Sequence, residues 1–198
     1  MIFQANGILR KVGVAILILD EINLKIIKVK KDTEGYFIMI EGITHQEDIT
    51  LINISASNQR APKCVMQLLT ELKRETDQNT TTVGDLNTPL SDLDRSSKQK
   101  INKEITSLSD TLHQLDIIDI YRAFYYKAAA HTYFSSARET FSTINHILRH
   151  RGSLNKYKKV EIIPTIFSDC NAIKLEISCK KKSERTTNTW SLQHATEE

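Results

Sequence analysis

TTTVGDLNTP, the stretch from Thr80 to Pro89, carries the fold decision for this chain. Three Thr and a Val give its first half the β-branched character of a short buried strand. The chain then presents Gly84, Asp85 and Asn87 within four positions. Asp and Asn just past a strand end can make a turn for backbone reasons alone. The same two side chains, projecting from one strand end, could instead hold a divalent ion, activate a water or donate a hydrogen bond to a phosphate. Residue types by themselves leave both readings open.

Working outward, the residues before Thr80 read as four strands, VGVAILIL, LKIIKVK, YFIMI and ITLINIS, with Asp32 to Gly35 as a hairpin connection. From Pro62 the period changes. Val65, Leu68, Leu69 and Leu72 fall at helical spacing, predicting a helix that starts near Pro62 and ends near Asp77. Beyond the opening stretch, Ile101, Ile105, Leu108, Leu112 and Leu115 predict a second helix capped by Ser96 or Ser97. HTYF, TFSTINHIL, KKVEII and NAIKLEI then read as further strands. Runs of strands broken by single helices suggest sheets packed between helices, not the regular alternation of a doubly wound fold.

A chain of 198 residues with 40% hydrophobic residues suits one domain with a real core, here residues 1–178. Residues 179–198, with four basic residues in CKKKSER, read as a basic, flexible tail. The net charge of +3 permits a polyanionic partner without arguing for one. Cys64, Cys170 and Cys179 fit neither a zinc motif nor a disulfide framework, which points to a reducing compartment. The apolar run Val12 to Leu19 is too short for a membrane span and ends in Asp20 and Glu21, so it is read as a buried strand.

Other candidate chemistry is sparse. Ser168, Asp169 and Cys170 stand immediately before a strand, where a turn explains them as well as a site does. In FSTINHIL, His146 reads as a satisfied structural histidine, because no second His, Cys or carboxylate lies at metal-ligand spacing. Lys25, Lys28, Lys30 and Lys31 read as a solvated strand edge. The sequence holds no glycine-rich phosphate loop, GxSxG or HExxH.

Taken together and in order, GDLNTPLSDLDRSSKQKINKE, LHQLDIIDIYR, YFSS, INHIL and SDCNAIKLE resemble consecutive segments of one known domain. It is the endonuclease domain of mammalian long-interspersed-element (non-LTR) retrotransposons, in the endonuclease/exonuclease/phosphatase superfamily with exonuclease III and the apurinic/apyrimidinic endonucleases. The resemblance runs from about Phe3 to Ile177. It implies an α/β, four-layer αββα sandwich of two face-to-face sheets, hydrolysing DNA phosphodiesters with a divalent metal, usually Mg²⁺. It implies Asp85 as a catalytic and metal-binding carboxylate, Asn87 as a phosphate contact, and Asp169 as a second acidic group at the metal. Arg95 in LDRSS, Thr132 in HTYFSS, Ser142 in TFSTIN and Asn58 match DNA-contacting positions.

Departures from the family pattern set a further expectation. The sequence begins after the family's LNINGL and QETH segments, so the fold is expected to be incomplete at the N-terminus, without its leading strands and metal-binding Glu. NIYAPN is replaced by NISASN, putting Ser55 where the family has Tyr. IDHIL and SDH become INHIL and SDC, putting Asn145 and Cys170 where the family has an Asp and the His it orients. Asn cannot stabilise a protonated imidazole as a carboxylate does, and a thiol does not replace imidazole beside a phosphate. The resulting expectation is a catalytically impaired, monomeric endonuclease-like domain, nuclear or cytoplasmic, with DNA as partner and no membrane. A non-catalytic module binding DNA or RNA and a non-functional retroelement fragment are the alternatives.

Overall fold

The structure, a computed structural model, describes residues 1–7, 13–58, 60–96, 102–128, 130–166 and 168–178. The basic tail from Cys179 lies outside these residues, as do Ser97 and Ile101 at the expected start of the second helix.

The described chain opens with a hairpin, β1 (Ile2–Asn6) and β2 (Gly13–Leu17), and continues through β3 (Lys25–Lys31), β4 (Phe37–Thr44) and β5 (Glu47–Ser55). Helix α1 (Ala61–Leu72) leads to β6 (Thr80–Asp85), and α2 (Lys103–Gln114) to β7 (Ile117–Asp119) and the short α3 (Ile120–Phe124). Two hairpin strands, β8 (Tyr133–Ser135) and β9 (Thr140–Ser142), precede β10 (Asn145–His150), β11 (Tyr157–Ile163) and β12 (Ala172–Ile177). Six strands form the central sheet in the order β3-β4-β5-β6-β10-β7. Among the described residues only β5 and β6 pair in parallel, and α1 supplies the crossover that a parallel pair requires.

Side-chain alternation divides the core between the two faces of this sheet. Phe37, Met39, Ile52, Ile54 and Leu148 point toward Val65, Leu69 and Leu72 of α1 and Leu108 and Leu112 of α2. On the other face, Ile38 and Ile40 pack against the β1–β2 hairpin region through Ala5, Val14 and Ile18. Ile147 on that face meets Tyr157 and Val160 of the β11–β12 hairpin. Burial on both faces is why YFIMI is a continuous apolar run with no polar alternation. Edge strand β3 keeps its lysines in solvent, where Lys28 and Lys30 pair with Glu75.

The described elements therefore build helices, a six-stranded sheet and a layer of two hairpins, in the α/β class expected. The outer face of β11–β12 is charged, with Lys159 paired to Glu161 at 2.7 Å and Lys174 to Glu176 at 2.9 Å. Several boundaries differ from the sequence reading. Helix α1 ends at Leu72, and a 3₁₀ turn covers Lys73–Glu75. The cap of α2 is Asn102, whose side-chain oxygen accepts from the Ile105 amide at 2.9 Å, not Ser96 or Ser97. Strands β1 and β7 and the turn of helix α3 were not anticipated.

Candidate active site

Gly84 sets the geometry of the strand end. Its φ is +139°, and a Cβ there would lie 1.9 Å from the Ile54 carbonyl oxygen, so no other residue lets β6 lie this close to β5. The next residue, Asp85, stands opposite Ser55 on β5 and opposite Asn145 on β10. The chain then turns through Asn87, at φ 50°, in a left-handed conformation that Asn tolerates. The Asn87 amide donates to Asp85 Oδ1 at 2.9 Å, and Asn87 Nδ2 donates to the Ala56 carbonyl at 2.7 Å. The Asx turn is thus built, and it holds the Asp85 carboxylate at the mouth of a cleft instead of hiding it. Burial raises the Asp85 carboxyl above its ordinary value, offset in part by the Asn87 amide and the charge on His146.

That cleft, about 370 Å³, is lined by Gly84, Asp85, Asn145, Cys170 and Asn171 among others. Cys170 sits in a bridge with Tyr133, and its side chain meets that of Asn145. Burial pushes the thiol up, Asn145 counters this, and the Asp85 and Asp169 charges add to the rise, so the group remains a neutral thiol. Asp85, Ser55, Asn145 and Cys170 are therefore gathered at one end of the sheet from β5, β6, β10 and the loop before β12.

Other expected site residues stand differently. Asp169 is exposed, uses its backbone carbonyl to accept from Phe134 at 3.1 Å, and does not line the cleft. Asn58 is exposed in the loop after β5. Arg95 and Ser142 lie opposite each other in an antiparallel bridge beside the β8–β9 hairpin, both partly exposed. Thr132 is fully buried, and its hydroxyl accepts from the amides of Ile144 (3.0 Å) and Asn145 (3.2 Å). It orients the Asn145 backbone and presents nothing to a DNA phosphate, which corrects its expected role.

The donor set does not amount to a metal centre by itself. Among the described residues no group of three His, Cys, Asp or Glu side chains converges. Asp85 brings one carboxylate to the cleft beside neutral amides, and Mg²⁺ holds its few protein ligands mainly through anionic oxygens. Asp85 lines the cleft, whereas Asp169 stands exposed in the loop before β12.

Beneath the site His146 is the satisfied structural histidine expected, but the sequence reading named none of its partners. His146 is completely buried, with Nδ1 2.6 Å from Asp119 Oδ2 and Nε2 3.1 Å from the Thr88 carbonyl. Both partners are acceptors, so the ring is fully satisfied only as an imidazolium donating from both nitrogens. Burial alone would depress its pKa, but the bond to Asp119 and the charges of Asp119 and Asp94 raise it overall. Asp94, fully buried, pairs with Arg122 at 2.7 Å and accepts from the amides of Leu90 and Ser91. These contacts clamp the loop after Asn87 to β10 and α3. Its members lie 27 and 28 positions apart in sequence, and no local motif marks them.

No protein-family model matches the sequence. The fold is that of the endonuclease/exonuclease/phosphatase nucleases. The chain superposes on the endonuclease domain of TRAS1, a telomere-specific non-LTR retrotransposon, with a TM-score of 0.72 and 14% identity, covering 91% of this chain and 81% of that one. The AP endonuclease LMAP from Leishmania major matches with a TM-score of 0.63 and 14% identity, covering 90% of this chain and 62% of that one. The 3′ phosphatase NExo from Neisseria, bound to product DNA hairpin, matches with a TM-score of 0.58 and 15% identity, covering 75% of this chain and 66% of that one.

Proposed function

We propose that this chain is a retrotransposon-type endonuclease domain that has lost phosphodiester hydrolysis and keeps a nucleic-acid-binding cleft. The observation that carries this reading is the Asn145–Cys170 contact beside Asp85, at the cleft where the resemblance implies a carboxylate orienting an imidazole. An amide neither raises the basicity of a neighbour nor takes a proton, and a thiol raised by burial neither donates to a leaving oxygen as imidazolium does nor attacks as thiolate.

Loss of one acid or base typically removes about 10²–10⁴ in rate. Here Ser55 also stands in place of a tyrosine, and one carboxylate alone lines the cleft, so a divalent ion such as Mg²⁺ is bound weakly. Phosphate contact is better preserved. Arg95 and Ser142 flank the β8–β9 hairpin next to the cleft, and contacts of this type position a backbone without reading sequence. The NExo neighbour holds a DNA hairpin, which supports DNA as the ligand class here.

The test is incubation of the purified chain with supercoiled plasmid and Mg²⁺, alongside Asp85→Ala and a chelator control. The expected result is no metal-dependent nicking above the Asp85→Ala background. Nicking that needs metal and disappears in Asp85→Ala would overturn the loss of catalysis.

A further inference from the structure

Exposed aromatic surface is concentrated in one short stretch at the end of α3. From Ala123 to Lys127 five consecutive residues are exposed, and three of them are Phe124, Tyr125 and Tyr126, the last 69% exposed. Single apolar side chains on a surface need no explanation, but a run of large rings left in water does. The run is also held in shape. Tyr125 packs on Tyr121 with ring centroids 5.2 Å apart and on Phe124 at 6.4 Å. The Tyr125 amide donates to the Tyr121 carbonyl at 2.9 Å, the Ala128 amide donates to the Tyr125 carbonyl at 3.2 Å, and Arg122 donates to the Ala128 carbonyl at 2.8 Å.

We propose that these rings form a platform on which unpaired bases of single-stranded DNA stack. The inference rests on the nucleic-acid reading above and adds to it a contact of a different kind, with bases and not with backbone. Tyr121, the buried foot of the ladder, shares a core cluster with Ile147, and Ile147 also lines the cleft of Asp85. A base presents its π face to an aromatic ring only when it is unstacked from its neighbours, so a duplex offers the platform nothing but its ends. Because the rings are already held in place, little freedom is lost when a base docks.

Charge favours a polyanion here over a wholly apolar partner. Lys127 follows the rings directly, and Lys158 stands on β11, which packs beside α3. Neither lysine has an ion-pair partner among the described residues. Lys159, within electrostatic reach of Tyr125, is by contrast held by Glu161 at 2.7 Å. Two free ammonium groups and a run of rings suit a chain of alternating phosphates and bases, because the ammonium groups meet phosphate as point charges while the rings take the bases. The platform uses none of Asp85, Asn145 or Cys170, so it can be tested apart from the cleft.

The probe is a fluorescent, non-self-complementary DNA strand of about twelve nucleotides, followed by anisotropy on the full chain. Saturable binding is expected, weakened about tenfold or more when a strand of the same length is built of abasic sites, which keeps every phosphate and removes the bases. Tyr126→Ala should weaken the intact strand about fivefold or more and leave a duplex of the same sequence unchanged, whereas Tyr126→Phe, which keeps the ring, should bind as the unmutated chain does. Equal binding of the abasic strand would reduce the patch to charge attraction and overturn the proposal. So would binding of duplex but not of single strand, which leaves the cleft reading standing, while failure of both would remove the cleft reading as well. A preference for RNA of the same sequence would overturn the choice of DNA. Self-association of the chain that Tyr126→Ala abolishes would assign the platform to a second copy instead. The abasic arm uses the unmutated chain, so misfolding of a variant does not blunt it.

Discussion

Asp85 is held where its charge is poorly solvated, beside the buried imidazolium of His146 but with a single amide donating to its carboxylate. Its carboxyl is raised above the ordinary 3.8. For an acid this means the folded state keeps its proton more readily than the unfolded state, so ionisation works against folding above the raised value, and the effect vanishes below 3.8. Asp85→Asn keeps an oxygen for the Asn87 amide and removes the charge. We expect it to stabilise the chain by about 0.5–2 kcal/mol at neutral pH, with the gain fading in acid. Denaturant melts at pH 7 and pH 3 check this, and a variant destabilised at neutral pH would refute it. At this scale the sequence was informative where chemistry is local: GDLN marked both the turn and the cleft residue. It was silent on Thr132, because nothing in HTYFSS shows that the hydroxyl points inward to two amides.

At the scale of elements, Asp119 ends β7 and begins α3. Its Oδ1 accepts from the Tyr121 amide at 2.8 Å while its Oδ2 holds His146. The raised pKa of His146 gives stabilisation that is complete below the ordinary 6.5 and is lost as pH rises through the folded value. Asp119→Ala leaves that imidazole buried without its counter-ion and uncaps α3. We expect a loss of about 3–5 kcal/mol at pH 5.5, and no larger loss at pH 9, since raising the pH can only discharge the wild-type ring. Urea midpoints of both proteins at the two pH values decide it, and a loss that grows with pH would contradict the assignment. Periodicity made α1, α2 and most strands legible, because their apolar faces are long. It failed at β7, three residues that follow α2 after a left-handed Asp116, and at the α2 cap, where Ser96, Ser97 and Asn102 are all suitable capping types and only tertiary packing chooses.

For the whole molecule, the order of strands and helices suggested sheets packed between helices and the resemblance implied the sandwich, while the division of the second layer into two separate hairpins was not legible, because each hairpin reads as an ordinary strand pair. The same scale governs nucleic-acid affinity. A net charge of +3 over 198 residues gives little overall attraction for a polyanion, and several cations are already paired, including Arg122 with Asp94 and Lys28 and Lys30 with Glu75 and Glu41. Arg95 and Arg138, near the β8–β9 hairpin, have no ion-pair partner among the described residues. Each phosphate neutralised contributes about −0.9 to the slope of log affinity against log salt, so two or three contacts should weaken duplex binding on the order of 10- to 40-fold between about 50 and 200 mM salt. Anisotropy with labelled duplexes of unrelated sequence should give that slope for each one, because backbone contacts carry no base information. Arg95→Ala should lower affinity alike for all of them and reduce the slope by about one. Binding that is salt-independent, or that Arg95→Ala alters for one sequence only, would show that the cleft does not hold DNA through its backbone.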